Sequence, residues 1–422
     1  DDPRVFLFEA PETEANLRFM ERNGEEVLAG ATIEKLIQRL TSASDPSPEY
    51  FQCFMLTYHN FLMPQELIDL LRLRWNSQPT EPGKMEQFVS SQLFTIRLRI
   101  VNVLKMWIET FGNDFKDDAA QAALNDFVAY IRVEYPQMAD MVAAKLKRFL
   151  SGYHYDAESE LDEDPPVPYP IAEGAESNPT MVDIHPEEFA RQMTLVEHAL
   201  FKAIPYKELL TNAKAGKINP NVSNMISYTN HLVNWIGTQI VKQENIRTRA
   251  ITLARFITVA KCCIVSCQNY NGAMEILSAL RSASVFRLKH TWNLLPDNIW
   301  DDYEWLENLF ESDNNYARYR SALSNAVPPC VPYLGRYLSE VLFLNEIHPD
   351  FLSQGPPPVI NFAKMVLVAD ILHHLQRYQK NPFCLTGVPI VQRFFLLKRG
   401  VMNEKELYKV SLEREPRETA PQ

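Results

Sequence analysis

Leu342 and Glu346 stand four residues apart in PYLGRYLSEVLFLNEI, which places an apolar knob and a carboxylate one turn apart on a single helical flank. Such a pair offers non-covalent chemistry: it can present a hydrophobic contact and an anion together. Read from spacing alone, the alternative is a core leucine next to a solvated rim charge. Covalent chemistries are poorly served elsewhere in the chain. The glycines number 13, and no two lie closer than Gly24 and Gly30, so neither G-x-G-x-x-G nor G-x-x-x-x-G-K-[ST] can be written. A chain without these phosphate cradles is not expected to bind a nucleotide directly. The six cysteines form no C-x-x-C, and the nine histidines form no H-E-x-x-H, so no metal or other cofactor is expected. Cys262, Cys263 and Cys267 crowd the apolar stretch RFITVAKCCIVSCQ and read as inert, buried thiols of a reducing compartment. His373 and His374 are neighbours on a helix, and read as one buried and one exposed residue. No nucleophile and base are arranged for hydrolysis.

The elements that must position Leu342 and Glu346 are helices. Tyr333, Tyr337, Val341 and Leu344 form one row, while Leu334, Leu338, Leu342 and Glu346 form a second. The first helix should run to about Glu346, because His348-Pro349 disfavours helical geometry beyond it. Pro356, Pro357 and Pro358 predict a rigid turn, and Asn361 is a candidate N-cap for a second helix reaching Tyr378. Upstream, TIEKLIQRL places Ile33, Leu36, Ile37 and Leu40 on one helical face, with Thr32 as a plausible N-cap. Further helical patterns follow before residue 150 and after residue 180. NIRTRAITLARFITVAKCCIVSCQNY is apolar nearly all round, which suits the centre of a bundle.

The chain has 422 residues, enough for about two or three domains. Its formal net charge of -11 argues against a nucleic-acid binder or a general binder of anionic membranes. Much of that charge is local. Eight acids, five prolines and no Lys or Arg lie between His154 and Thr180, the composition of a linker, and the rest of the chain is close to balanced. No apolar run reaches the roughly 18 residues of a membrane span, and the start, DDPRVFLFEA, reads as that of an intracellular piece of something longer. Basic residues such as Arg97, Arg99, Lys145, Lys147 and Arg148 read as solvated faces rather than a membrane-binding run. The expected architecture is all-α with two helical domains, the larger a multi-helix bundle with a protruding helical hairpin. Its boundaries are 1–150, a linker at 151–180, a second domain at 181–417 and a polar tail at 418–422.

An ordered set of motifs carries a further reading. QMTLVEHALFKAIPYKELL, HLVNWIGTQIV, NYNGAMEILSALRSASVFRLKHTW, NNYARYRSAL, PPCVPYLGRYLSEVLF and INFAKMVLVADILHHLQRYQKNPF resemble the catalytic domain of Ras-family guanine-nucleotide exchange factors, the Son of sevenless-like exchangers, over about 183–417. GATIEKLIQRLT and FMLTYHNFLMPQELIDLL resemble the N-terminal Ras exchanger motif that accompanies such domains.

The resemblance implies an exchange factor that makes no covalent bond and opens a Ras-family small GTPase by inserting a helical hairpin beside its first switch segment. GDP then leaves and GTP loads. By position, Leu342 and Glu346 would be the exchange residues. Ile226, Met274, Tyr316 and Tyr333 would wall a pocket for an aromatic residue of the second switch segment, with Arg281 and Phe286 nearby; each apolar member could equally be core on its own pattern. Such exchangers often have Asn at the position of Arg281 and Tyr at that of Phe286, which leaves the GTPase open among Ras, Rap, Ral or a relative. They often have Gly after the hairpin Glu, where this chain has Ile347 and His348. The alternative is a helical scaffold that binds a GTPase or signalling partner without exchange. The implied location is cytoplasmic, with recruitment to the membranes where the GTPase resides, and membrane contact only through that GTPase or through flanking domains.

Overall fold

A computed structural model describes residues 2–22, 24–42, 44, 47–81, 83–152, 164–177, 179–211, 219–355 and 357–417. The linker segment 153–163, Pro356 and the tail 418–422 lie outside the described residues. Packing divides the chain into two units. The first comprises Asp1–Glu158, Leu209–Ala215 and Ser339–His373, and the second Ser159–Glu208, Gly216–Leu338 and His374–Gln422. Among the described residues no helix is long and apolar enough to cross a membrane.

The first unit is built on the helices Ile33–Leu40, Pro48–Thr57, Pro64–Trp75, Phe94–Phe111, Asp118–Glu134 and Pro136–Leu150. In the Ile33–Leu40 helix, Leu36, Ile37 and Leu40 are buried as their spacing predicts, and Thr32 stands at the N-cap without a side-chain cap bond. The apolar core gathers Phe54, Tyr58, Trp75, Trp107, Phe115 and Phe127. Buried Asp114 ties this core together by accepting from the Tyr58 hydroxyl at 2.7 Å, the Trp107 indole at 2.9 Å and His59 Nε2 at 3.0 Å. Burial alone would raise its pKa, but these donors hold it below the ordinary aspartate value.

A four-stranded sheet, which the helical reading did not anticipate, completes this unit. Its strands β1 (Leu17–Arg22), β2 (Glu25–Ala31), β3 (Phe351–Ser353) and β4 (Val359–Asn361) run in the order β1-β2-β4-β3, all antiparallel. The connection between the two hairpin helices is therefore a small β-hairpin rather than a bare proline turn. Gly30 pairs with Asn361 and Ala31 with Ile360, so the strand preceding the first helix is hydrogen-bonded to the hairpin connection. Gly30 is required there by close approach: a Cβ would meet the Ile360 carbonyl oxygen at 2.5 Å and Leu352 Cδ1 at 2.6 Å.

The second unit surrounds the helix Ile246–Val265, which packs on Pro186–Lys202, Pro220–Val241, Tyr270–Arg281 and Asp297–Leu309. Its apolar sequence is not buried all round, since Ile251 and Val265 face outward. Cys263 is buried within it, as are Cys267 and Cys330 elsewhere in the unit; all six cysteines are free thiols. Burial pushes Cys267 to about 11 and Cys330 to about 12, so neither is a ready thiolate. The described part of the acidic segment is seated on this unit: Tyr169 stacks on His185 with centroids 3.9 Å apart, and its backbone N–H donates to Glu188 at 3.0 Å. Low hydrophobicity did not prevent these local contacts from ordering residues 164–177.

Candidate functional site

The first hairpin helix spans Leu334–Ile347. Its opening N–H groups are met by side chains: Tyr333 N–H donates to the Tyr319 hydroxyl at 2.8 Å and Leu334 N–H to Asn271 Oδ1 at 3.5 Å. Leu334, Tyr337 and Val341 are buried along one face. The other face carries Leu342, 44% exposed, with Phe343 at 61%, Ile347 at 51% and exposed Glu346. Leu342 is therefore not a core residue. Glu346 makes no hydrogen bond or ion pair among the described residues, so the helix presents an uncommitted carboxylate beside an apolar surface.

The end of this helix needs no left-handed residue. Ile347 is its last member, His348 N–H donates to the Leu344 carbonyl at 3.0 Å, and none of residues 347–350 has a positive φ. A helix that closes in this way accepts Ile where a positive-φ ending would demand Gly. Beyond it, Asn361 is the cap its position suggested, with Oδ1 accepting from Lys364 N–H at 3.2 Å. Its Nδ2 also donates to the Pro349 carbonyl at 3.0 Å, and buried Lys364 reaches Asp350 at 2.7 Å. The second hairpin helix, Phe362–Gln379, begins with Phe362 stacked on Tyr50 at 5.1 Å. Tyr50 in turn donates to the Leu36 carbonyl at 2.9 Å. His373 and His374 are both exposed, which corrects the expectation of one buried: the helix faces inward through Leu372 and Leu375 instead.

The six other candidates lie in the second unit, and none is core. Ile226 and Phe286 are exposed, while Met274, Tyr316 and Tyr333 are half-buried. Ile226 and Met274 sit on two helices that pack together, Pro220–Val241 and Tyr270–Arg281. Tyr316 and Tyr333 are brought ring to ring, with centroids 6.4 Å apart and planes at 62°. Asn314, Asn315 and Tyr316 form a left-handed turn, Tyr316 at φ 56 and ψ 44. That conformation costs an aromatic L-residue roughly 1–2 kcal/mol, a strain concentrated at the candidate pocket. Lys289 Nζ lies 3.5 Å from the centroid of the Phe286 ring, and Arg281 pairs with Glu307 at 3.0 Å.

The sequence profile of the RasGEF domain matches residues 188–366, and that of the RasGEF N-terminal motif matches 27–129. The chain belongs to the RasGEF family. It is 32% identical to Ras guanine nucleotide exchange factor A of Dictyostelium discoideum over 409 residues, which covers 93% of this chain and 66% of that protein. It is 28% identical over 466 residues to Protein son of sevenless of Drosophila melanogaster, covering 98% of this chain and 28% of that one. Ras-specific guanine nucleotide-releasing factor 1 of Rattus norvegicus is 29% identical over 327 residues, covering 76% and 26%. The chain thus spans less than two thirds of the length of these relatives. The RasGEF match contains all eight candidate residues, and the N-terminal motif contains most of β2 as well as Tyr50.

Beneath the RasGEF motif NYNGAMEILSAL lies a pair of carboxylates that the motif reading passed over. Glu197 and Glu275 are both buried. Thr229 Oγ1 donates to Glu275 at 2.5 Å, and Asn271 Nδ2 donates to Glu275 at 2.8 Å and to Glu197 at 3.3 Å. Burial pushes Glu197 up to about 7, with donors opposing it, and burial with the Glu197 charge pushes Glu275 well above its ordinary value. The pair therefore retains a proton near neutrality. Asn271 links it to the hairpin through the Leu334 N–H. The apolar surroundings of both acids were visible in the sequence, but their proximity was not.

Proposed function

We propose that this chain is a guanine-nucleotide exchange factor for a Ras-family small GTPase, which it opens by inserting the hairpin at the nucleotide site. The observation that carries the reading is the outward flank of the Leu334–Ile347 helix, where exposed Leu342 and uncommitted Glu346 lie one turn apart within a RasGEF domain. A GTPase holds its nucleotide through P-loop amides, a lysine and Mg²⁺ bridging the phosphates. Magnesium demands near-octahedral oxygen ligands and gives up water reluctantly, so a leucine pressed against its site disfavours it. A carboxylate among the P-loop donors can occupy the hydroxyl that the metal leaves. Nucleotide release follows by competition, and reciprocity makes nucleotide binding expel the exchanger equally. No covalent bond changes.

In this reading Ile226, Met274, Tyr316 and Tyr333 receive an aromatic anchor of the second switch segment, with Arg281 and Phe286 at the margin. Their partial exposure supports this role, since core residues would have no surface to offer. Residues 1–150 act as the exchanger-motif domain, 151–180 as linker, 181–417 as the catalytic domain and 418–422 as a tail. The protein works in the cytoplasm, at membranes that carry its GTPase. The test is to load a panel of Ras-branch GTPases with fluorescent GDP and follow release against excess unlabelled GTP. Acceleration for at least one member is expected; none for any member removes the reading. Capture of the nucleotide-free GTPase without faster release would mark a scaffold instead.

A further inference from the structure

Arg281 is the last residue of the helix Tyr270–Arg281, where the carbonyl end of the helix favours a cation. Its Nε–H donates to Glu307 Oε1 at 3.0 Å, and the Tyr303 hydroxyl donates to the same oxygen at 2.6 Å. Tyr303 is 3% exposed, packed between Trp292 at 4.9 Å and Trp300 at 5.9 Å, so the carboxylate rests on a fixed donor. Burial, the hydrogen bond to Glu307 and that group's charge all push the Tyr303 phenol upward, which keeps its proton in place. Arg281 donates to Glu307 through Nε, its guanidinium also bears on the Tyr303 hydroxyl and opposes that upward push, and both members of the pair are 38% exposed at the side chain.

Building on the exchange-factor reading, we propose that Arg281 and Glu307 act as one net-neutral hydrogen-bond donor that reads an uncharged oxygen, a main-chain carbonyl or side-chain amide, in the GTPase's second switch segment. Glu307 is the positioning residue. It engages the Nε edge of the guanidinium, cancels its charge and turns the Nη edge outward. A neutral NH₂ edge is what an asparagine amide would present at this place, so the pair accomplishes with two residues what one amide could do. A bare Arg281 would instead select for acidic partners, and a bare Glu307 against them.

The test measures exchange on the best GTPase of the panel with wild type, Arg281→Asn, Glu307→Gln and the double variant, at two ionic strengths, with Tm recorded for each. Each single variant leaves one uncompensated charge, so KM for the GTPase is expected to rise about fivefold at unchanged kcat. Salt should move the KM of the two singles in opposite directions. The double variant restores neutrality and a donor, and should return to within about twofold of wild-type KM. Unchanged Tm across the set separates this from a structural role. A double variant whose loss equals the product of the two singles, or an Arg281→Asn variant with wild-type KM, overturns the proposal. Failure of the wild-type protein to exchange on any GTPase overturns the underlying reading instead, and is seen before any variant is made.

Discussion

At the residue scale, the exposed flank of the hairpin separates function from stability. Leu342 and Glu346 bury little, so truncating either should cost the fold almost nothing. Glu346→Ala and Leu342→Ala are each expected to slow GDP release by about tenfold or more, some 1.4 kcal/mol of barrier or greater, with Tm unchanged. Wild-type rates in both would locate the wedge elsewhere. The carboxylate pair behaves in the opposite way. The Glu197 pKa is raised on folding from 4.5 to about 7, so the folded state binds more protons than the unfolded state across that window. Its stabilising contribution is fully present below about 4.5 and is lost as pH rises through about 7. Denaturation midpoints read at pH 5 and 7.5 should fall with pH on this account, and Glu275→Gln, which removes that group's own raised titration from the pair, should flatten the decline. An identical slope in the variant would remove the pair as its source.

At the element scale, the β2–β4 pairing ties the hairpin connection to the strand that precedes the first helix. Gly30→Val is expected to lose about 1–3 kcal/mol, because its side chain must displace the Ile360 carbonyl rather than a flexible side-chain end. Hydrogen exchange at Val359–Asn361 should accelerate in the same variant, and protection equal to wild type would show that the sheet accommodates the change. The helices were legible because their apolar residues recur at helical spacing, as in Leu36, Ile37 and Leu40. The strands were not. β3 and β4 are three residues each, too short to display alternation, and Gly30 reads as a helix-preceding loop until its partner is known.

At the scale of the whole molecule, residues 339–373 pack within the unit formed chiefly by the first 158 residues, although the first hairpin helix starts in the other unit. A chain reduced to residues 181–417 would lose β2 and the Tyr50 stack from the hairpin. Its exchange rate is expected to fall well below that of the full chain, with hydrogen exchange faster in Phe351–Ser353 and Val359–Asn361; equal rate and protection would show that the hairpin stands without its N-terminal support. Helix content, the acidic segment and the family motifs with Leu342 and Glu346 among them were all set by local order in the sequence, because composition and periodicity act over neighbouring residues. Which face of the hairpin helix meets solvent, the joining of Gly30 to Asn361, the meeting of Tyr316 with Tyr333, and the pairs Glu197–Glu275 and Arg281–Glu307 were decided only by the tertiary structure. Each depends on residues that the chain separates and packing alone brings within reach.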